Sequence, residues 1–139
     1  MRYLGLDLGS KTLGISISDK LGMIARSLTI IRHNEEYDKL ILEIEKIIKE
    51  QEVDAIVLGY PKNMNNTIGI KAVLSEKFKE KLEIALNIPV YLEDERLTTK
   101  EATDILISNN TSRKKRKKVI DSMAATIILQ SYLNRKGNK

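Results

Sequence analysis

Three carboxylates in this sequence stand where chemistry would need them. Asp7 ends an apolar run, Tyr3-Leu4-Gly5-Leu6-Asp7-Leu8, just ahead of Gly9. Glu95, or its neighbour Asp94, ends a second apolar run that begins at Val90, and Asp121 opens the last helical pattern. A carboxylate in an apolar strand is costly unless it is paired or binds a metal. Clustered carboxylates raise one another's pKa unless a cation sits among them. Two divalent ions would relieve that repulsion, activate a water and stabilise the leaving oxygen of a phosphodiester. The chain has no cysteine and a single histidine, His33, between Arg32 and Asn34 in a segment read as a solvated loop. Any metal must then be held by oxygen, so Mg²⁺ or Mn²⁺ is the expected cofactor rather than zinc. Each acid also has an ordinary role open to it. Glu93, Asp94 and Glu95 suit a solvated loop, and Asp121 suits a helix N-terminus. Convergence in space is what separates the two readings.

The cations point to a polyanionic partner. The formal net charge is +5, and the excess is concentrated in Arg113-Lys114-Lys115-Arg116-Lys117-Lys118. Such a run adds sequence-independent attraction to a nucleic-acid backbone, the alternative being a solvated loop. Lys11, Lys62, Asn63 and Arg96 fall in loops after strands, where they suit contacts to phosphates. With five Tyr, one Phe and no Trp, a large aromatic platform for stacking bases is not evident.

The elements that must position these groups follow from periodicity. Tyr3 to Leu8 and Ile15 to Asp19 alternate about a Gly-containing turn and read as a hairpin, with a third strand from Met23 to Ile31. Tyr37, Leu40, Ile41, Ile44, Ile47 and Ile48 recur at helical spacing up to Gln51-Glu52. Asp54 to Gly59 is a continuous apolar run after a helix, hence a buried parallel strand. Val73, Leu74, Phe78, Leu82 and Ala85 mark a second helix, which Asn87-Ile88-Pro89 ends. The fifth strand starts at Val90. Thr98-Thr99-Lys100-Glu101 fits a capping box for a short helix through Ile107. Ser108 to Lys118 reads as a mobile basic loop, and the last helix as Val119 to about Leu133 with a frayed tail. On that helix Ala124 and Ala125 share a face with Asp121 and let the turn lie close to the sheet.

The fold class is α/β: a mixed five-stranded sheet, three antiparallel strands and then two parallel ones, flanked by helices. One domain over 1–139 is expected from the length, and at 42% hydrophobic residues it can bury a core without disulfides. Absence of cysteine fits a reducing cytoplasm. No signal peptide and no membrane span is expected, because Met1 leads directly into the first strand and no apolar run approaches about 20 residues.

Four motifs in register resemble the YqgF (RuvX) family, relatives of the RuvC Holliday-junction resolvase. They are Leu6-Asp7-Leu8-Gly9-Ser10-Lys11 with Gly14, Gly59-Tyr60-Pro61-Lys62-Asn63-Met64 with Thr67, Asp94-Glu95-Arg96-Leu97-Thr98-Thr99, and Ile120-Asp121-Ser122-Met123-Ala124-Ala125 with Ile128 to Leu133. The resemblance implies an RNase H-like fold and a pre-16S ribosomal RNA nuclease of the bacterial cytoplasm, acting in 5′-end maturation; a monomer or weak homodimer is expected. It assigns Asp7, Glu95 and Asp121 to metal-dependent catalysis, and it leaves branched DNA as an alternative substrate to precursor ribosomal RNA. Two departures stand out. Asn65-Asn66 replaces the family's frequent Asp-Gly, and Gly59-Tyr60-Pro61 occupies the place of the RuvC-type carboxylate on strand four, for which Glu95 substitutes. Two other function classes compete. A non-catalytic nucleic-acid-binding module would use the same basic run. A sugar-kinase-like ATPase opens on a similar strand-Asp-x-Gly turn but needs two such domains, and this chain has length for one.

Overall fold

The computed structural model describes residues 1–61, 69–95 and 113–137, the last stretch with side chains from Met123 onward. The element order is β1 (Tyr3–Leu8), β2 (Thr12–Ser18), β3 (Ala25–Arg32), α1 (Tyr37–Gln51), β4 (Ala55–Tyr60), α2 (Ile70–Leu86), β5 (Val90–Asp94) and α3 (Arg113–Gly137). The strands form one sheet in the order β3-β2-β1-β4-β5. β1 pairs antiparallel with β2, and β2 with β3; β4 joins β1 and β5 joins β4 in parallel. This is the mixed sheet expected above.

Strand alternation divides the sheet into two unlike faces. Leu4, Leu6, Leu13, Ile15, Ile17, Ile56 and Leu58 make one core with Leu40 and Ile44 of α1 and Phe78 and Leu82 of α2. The opposite face is built from small residues and receives α3. A Cβ at Gly5 would lie 2.8 Å from Leu129 Cβ and 3.0 Å from the Ala125 carbonyl oxygen. Ser16 Oγ, buried, donates to that carbonyl at 2.7 Å. The Ala25 N–H donates to Gln130 Oε1 at 2.8 Å, which fixes the next turn of the helix over β3. Ile128, Leu129 and Leu133 complete this face against Tyr3, Ala55 and Val57. Every residue of β4 is buried because helices cover both its faces.

Two local expectations need correction, at the last helix and on α2, and β3 carries a feature that periodicity does not show. The basic run does not precede the last helix; the backbone is already helical at Arg113 and stays so to Gly137. Lys and Arg are good helix formers, and the segment contains no Gly or Pro before Gly137 to stop it. In β3 the register shifts opposite Ile15 and Ser16, pairing Thr29 with the first and Ser27 with the second. Leu28 is the extra residue of this bulge, so Leu28 and Ile31 pack on the core and Ile30 is left exposed. On α2 the buried stripe is Ala72, Ser75, Phe78 and Leu82, while Val73 and Leu74 are exposed. The helix expected from Thr98 to Ile107 lies outside the described residues.

Candidate active site

Asp7 reaches the end of the sheet on the α3 face, opposite Gly14 of β2. Glu95 immediately follows β5, two strands away, with β4 between them. The two acids meet because β4 carries a glycine at that level. An added Cβ at Gly59 would fall 2.5 Å from Glu95 Oε1, 2.9 Å from its Cδ and 2.7 Å from Ile128 Cδ1. The Glu95 carboxyl thus fills the space that a side chain on strand four would take. From there it donates a hydrogen bond to Asp7.

The electrostatics follow from that placement. Burial is the largest influence on Glu95 and pushes its carboxyl up to about 9; the hydrogen bond to Asp7, the Asp7 charge and the Asp94 charge act in the same direction, and Lys71 opposes them. At neutral pH the pair therefore holds a proton between two carboxylates, as like charges forced together must. Glu95 rather than Asp94 meets Asp7; Asp94 sits opposite Tyr60 in the β4–β5 register and adds to the negative field. Behind the pair, the Tyr60 hydroxyl donates to Glu76 Oε1 at 2.8 Å in a half-buried bond that ties α2 to the end of β4. That carboxylate also raises the Tyr60 hydroxyl above its ordinary value.

The other anticipated residues are distributed as follows. Lys11 is exposed in the turn after β1. The backbone positions of Arg113, Lys114, Lys115, Arg116 and Asp121 are on α3, and their side chains lie outside the described residues, as do Lys62, Asn63 and Arg96 altogether. Among the described residues no three acids or imidazoles gather as a metal-ligating group; the cluster that forms is a pair.

Four features escaped sequence reasoning. His33 is not a solvated loop residue: its Nε2 lies 2.9 Å from the Gly9 carbonyl oxygen, and its Nδ1 accepts from the Glu35 N–H at 3.1 Å. Only spatial proximity reveals this, since His33 and Gly9 are far apart in the chain. Lys71, in the first turn of α2, is near enough for Glu95 to feel its charge. Glu93 is 1% exposed and ion-paired with Arg135 of α3, where a solvated acid was one reading. Alternation from the Glu95 position places it on the α3 face, which was the available signal. Tyr132 stacks on Tyr91, with ring centroids 5.6 Å apart, and touches Tyr3, over which Lys136 lies at 4.5 Å.

Comparison with known proteins agrees with this frame. The family model that matches is RuvX, Holliday junction resolvase, over residues 1–135. A Geobacillus sp. (strain WCH70) protein is 53% identical over 137 residues, covering 98% of this chain and 99% of the relative. One from Bacillus subtilis (strain 168) is 51% identical over 135 residues, covering 96% and 98%. Both are called "Putative pre-16S rRNA nuclease". Among solved structures, Thermus thermophilus RuvC in complex with a Holliday junction substrate superposes with a TM-score of 0.63 at 15% identity, covering 99% of this chain and 96% of RuvC. That likeness establishes the fold, RuvC-like and hence RNase H-like. A ROK hexokinase from Thermus thermophilus aligns with a TM-score of 0.51 at 25% identity, but this chain spans only 38% of it. With the motifs in register, the fold in place and a match running through nearly all of its length, the chain belongs to the RuvX family.

Proposed function

We propose that this protein is a divalent-metal-dependent nuclease that hydrolyses phosphodiester bonds of precursor 16S ribosomal RNA in the bacterial cytoplasm, on a single domain. The observation that carries the reading is the half-buried Asp7–Glu95 pair spanning Gly59 at the end of the sheet. Two carboxyls that retain a proton near pH 9 make a site in which a cation can replace that proton, and their all-oxygen donor set suits Mg²⁺ or Mn²⁺. Asp7 and Glu95 would hold the ion. Asp121 would join them from α3, where it precedes by one turn the Ala125 that packs against the Gly14 position beside Asp7. When bound, such ions lower the pKa of water and stabilise the leaving oxygen.

The protein's own residues supply position and field. Gly59 leaves the space in which Glu95 crosses to Asp7, and the Tyr60–Glu76 bond fixes the end of β4 beside it. Lys11, Lys62, Asn63, Arg96 and the run Arg113, Lys114, Lys115, Arg116 would hold the phosphate backbone, and the net charge of +5 supports that role. The relatives' name gives the RNA substrate.

The test is Asp7→Asn. It should keep the fold and salt-dependent RNA binding while reducing cleavage of precursor ribosomal RNA with Mn²⁺ to background; undiminished cleavage would remove Asp7 from the mechanism. A second reading, cleavage of four-way DNA junctions, is favoured by the description of the family and by the RuvC likeness. A synthetic junction assayed beside the RNA distinguishes the two. Binding of either without turnover would leave a non-catalytic module.

A further inference from the structure

The turn that follows Asp7 is held from outside its own hairpin. The Gly9 N–H donates to the Thr12 carbonyl at 2.8 Å, which closes the turn locally. Two further bonds come from the end of β3, and both involve His33. Its main-chain N–H donates to the Lys11 carbonyl at 2.9 Å, and its Nε2 faces the Gly9 carbonyl oxygen at 2.9 Å. The tautomer is fixed by the other nitrogen. Nδ1 accepts from the Glu35 N–H, so the proton resides on Nε2 and is donated to Gly9. Glu35 makes that bond from a left-handed conformation, φ 64°, one a non-glycine residue adopts only when its surroundings hold it there.

The ring is braced as well as bonded. His33 lies 6.0 Å from Tyr37, and Tyr37 lies 5.6 Å from Phe78, centroid to centroid. Phe78 is 1% exposed at the centre of the main core. A continuous line of contacts therefore runs from the core through two aromatic rings to the carbonyl of Gly9, two residues beyond Asp7. The turn has little slack of its own to exploit: even a Cβ at Gly9 would meet the Thr12 carbonyl oxygen at 3.1 Å.

We propose that His33 is a positioning residue for the Asp7 carboxylate, clamping the Gly9–Thr12 turn so that Asp7 stays where Glu95 can meet it. This rests on the reading of Asp7 as a site carboxylate, and the test separates the two. The variants are His33→Ala, which deletes the side-chain clamp and keeps the main-chain bond, and His33→Gln, whose amide can place an N–H near the Nε2 position. Each is examined by amide hydrogen exchange at residues 9–12, the Gly9 N–H that closes the turn above all, by Mn²⁺ affinity and by single-turnover cleavage. For His33→Ala the turn amides should exchange about tenfold faster while those of β4 are unchanged. Mn²⁺ affinity and the cleavage rate constant should each fall about tenfold, in line with loss of outer-shell support, with KM for RNA held within a factor of about two. His33→Gln should recover most of each. Turn exchange and Mn²⁺ affinity unmoved by His33→Ala would overturn the proposal, as would losses that track global melting and are not rescued by Gln. A wild-type protein that binds Mn²⁺ but cleaves nothing would refute the nuclease reading alone, because exchange and affinity would still report the clamp.

Discussion

Replacing Gly59 by alanine probes the one place where strand four makes room for the acid of strand five. The new Cβ would arrive 2.5 Å from Glu95 Oε1 and 2.7 Å from Ile128 Cδ1. Ordinary contact needs about 3.5 Å, so each neighbour must yield by about 1 Å. Both clashing groups are the far ends of flexible side chains, so the backbone need not move. The stability cost is then at the low end for overpacking, about 1–2 kcal/mol. In a chain of this size that lowers Tm by roughly 3 to 8 °C. The site responds differently. A carboxyl displaced by about 1 Å from a productive geometry loses on the order of a hundredfold in rate. The variant should therefore remain folded by circular dichroism and lose about two orders of magnitude in single-turnover cleavage of precursor 16S RNA with Mn²⁺. Adding Ile128→Val deletes Cδ1 and relieves that clash alone, so it should recover at most part of the Tm loss and none of the rate. A rate within a factor of about two of wild type, with Mn²⁺ affinity intact, would refute the claim that the space above Gly59 is what unites the pair.

Three further outcomes follow from the same geometry. The Glu95 carboxyl is raised in the folded chain from 4.5 to about 9, so its stabilising contribution is complete below pH 4.5 and is lost as pH rises through 9. Metal-free protein should melt progressively lower across that window, and added Mn²⁺ should recover more Tm the higher the pH; a gain independent of pH would contradict this. Mn²⁺ binding at pH 7 should release about one proton, read by titration calorimetry in buffers of different ionisation enthalpy, and zero release would contradict the shared proton. Arg135→Ala strands the buried Glu93 carboxylate without its cation. Because Arg135 is half exposed, the expected loss is about 2 kcal/mol in urea unfolding, less than for a fully buried pair. Glu93→Gln in the same chain should recover part of it, and no loss from Arg135→Ala alone would make the pair energetically idle.

What could be read from the sequence was what local chemistry dictates. Alternation located β1, β2 and β3 and helical spacing located α1, because those signals depend on one face being buried; unbroken apolar runs located β4 and β5. The run Asp54 to Gly59 even announced parallel pairing through its unbroken apolar character. The two acids were placed at strand ends correctly, yet nothing along the chain says that β4 separates their strands or that Gly59 opens the path between them. The β3 bulge was invisible for a similar reason: Ile30 and Ile31 are equally apolar, and only register with β2 decides which faces the core. The start of α3 is hidden because a run of like charges suggests a solvated loop, although each of its residues favours a helix singly. The role of His33 is not legible because a histidine's partners are set by tertiary proximity, not by its neighbours in sequence.

The seat of α3 has a consequence for how the molecule matures. Ser16 is joined to Ala125 and Ala25 to Gln130, contacts that bridge 109 and 105 residues. Contacts of such span form late, after the entropy of closing most of the chain has been met. As the polypeptide emerges from the ribosome, the hairpin and its parallel partner can assemble while their glycine-lined side still faces water. Enclosure of the Asp7–Glu95 pair waits for α3 to dock, so that side of the pair stays open until contacts of the longest span have formed.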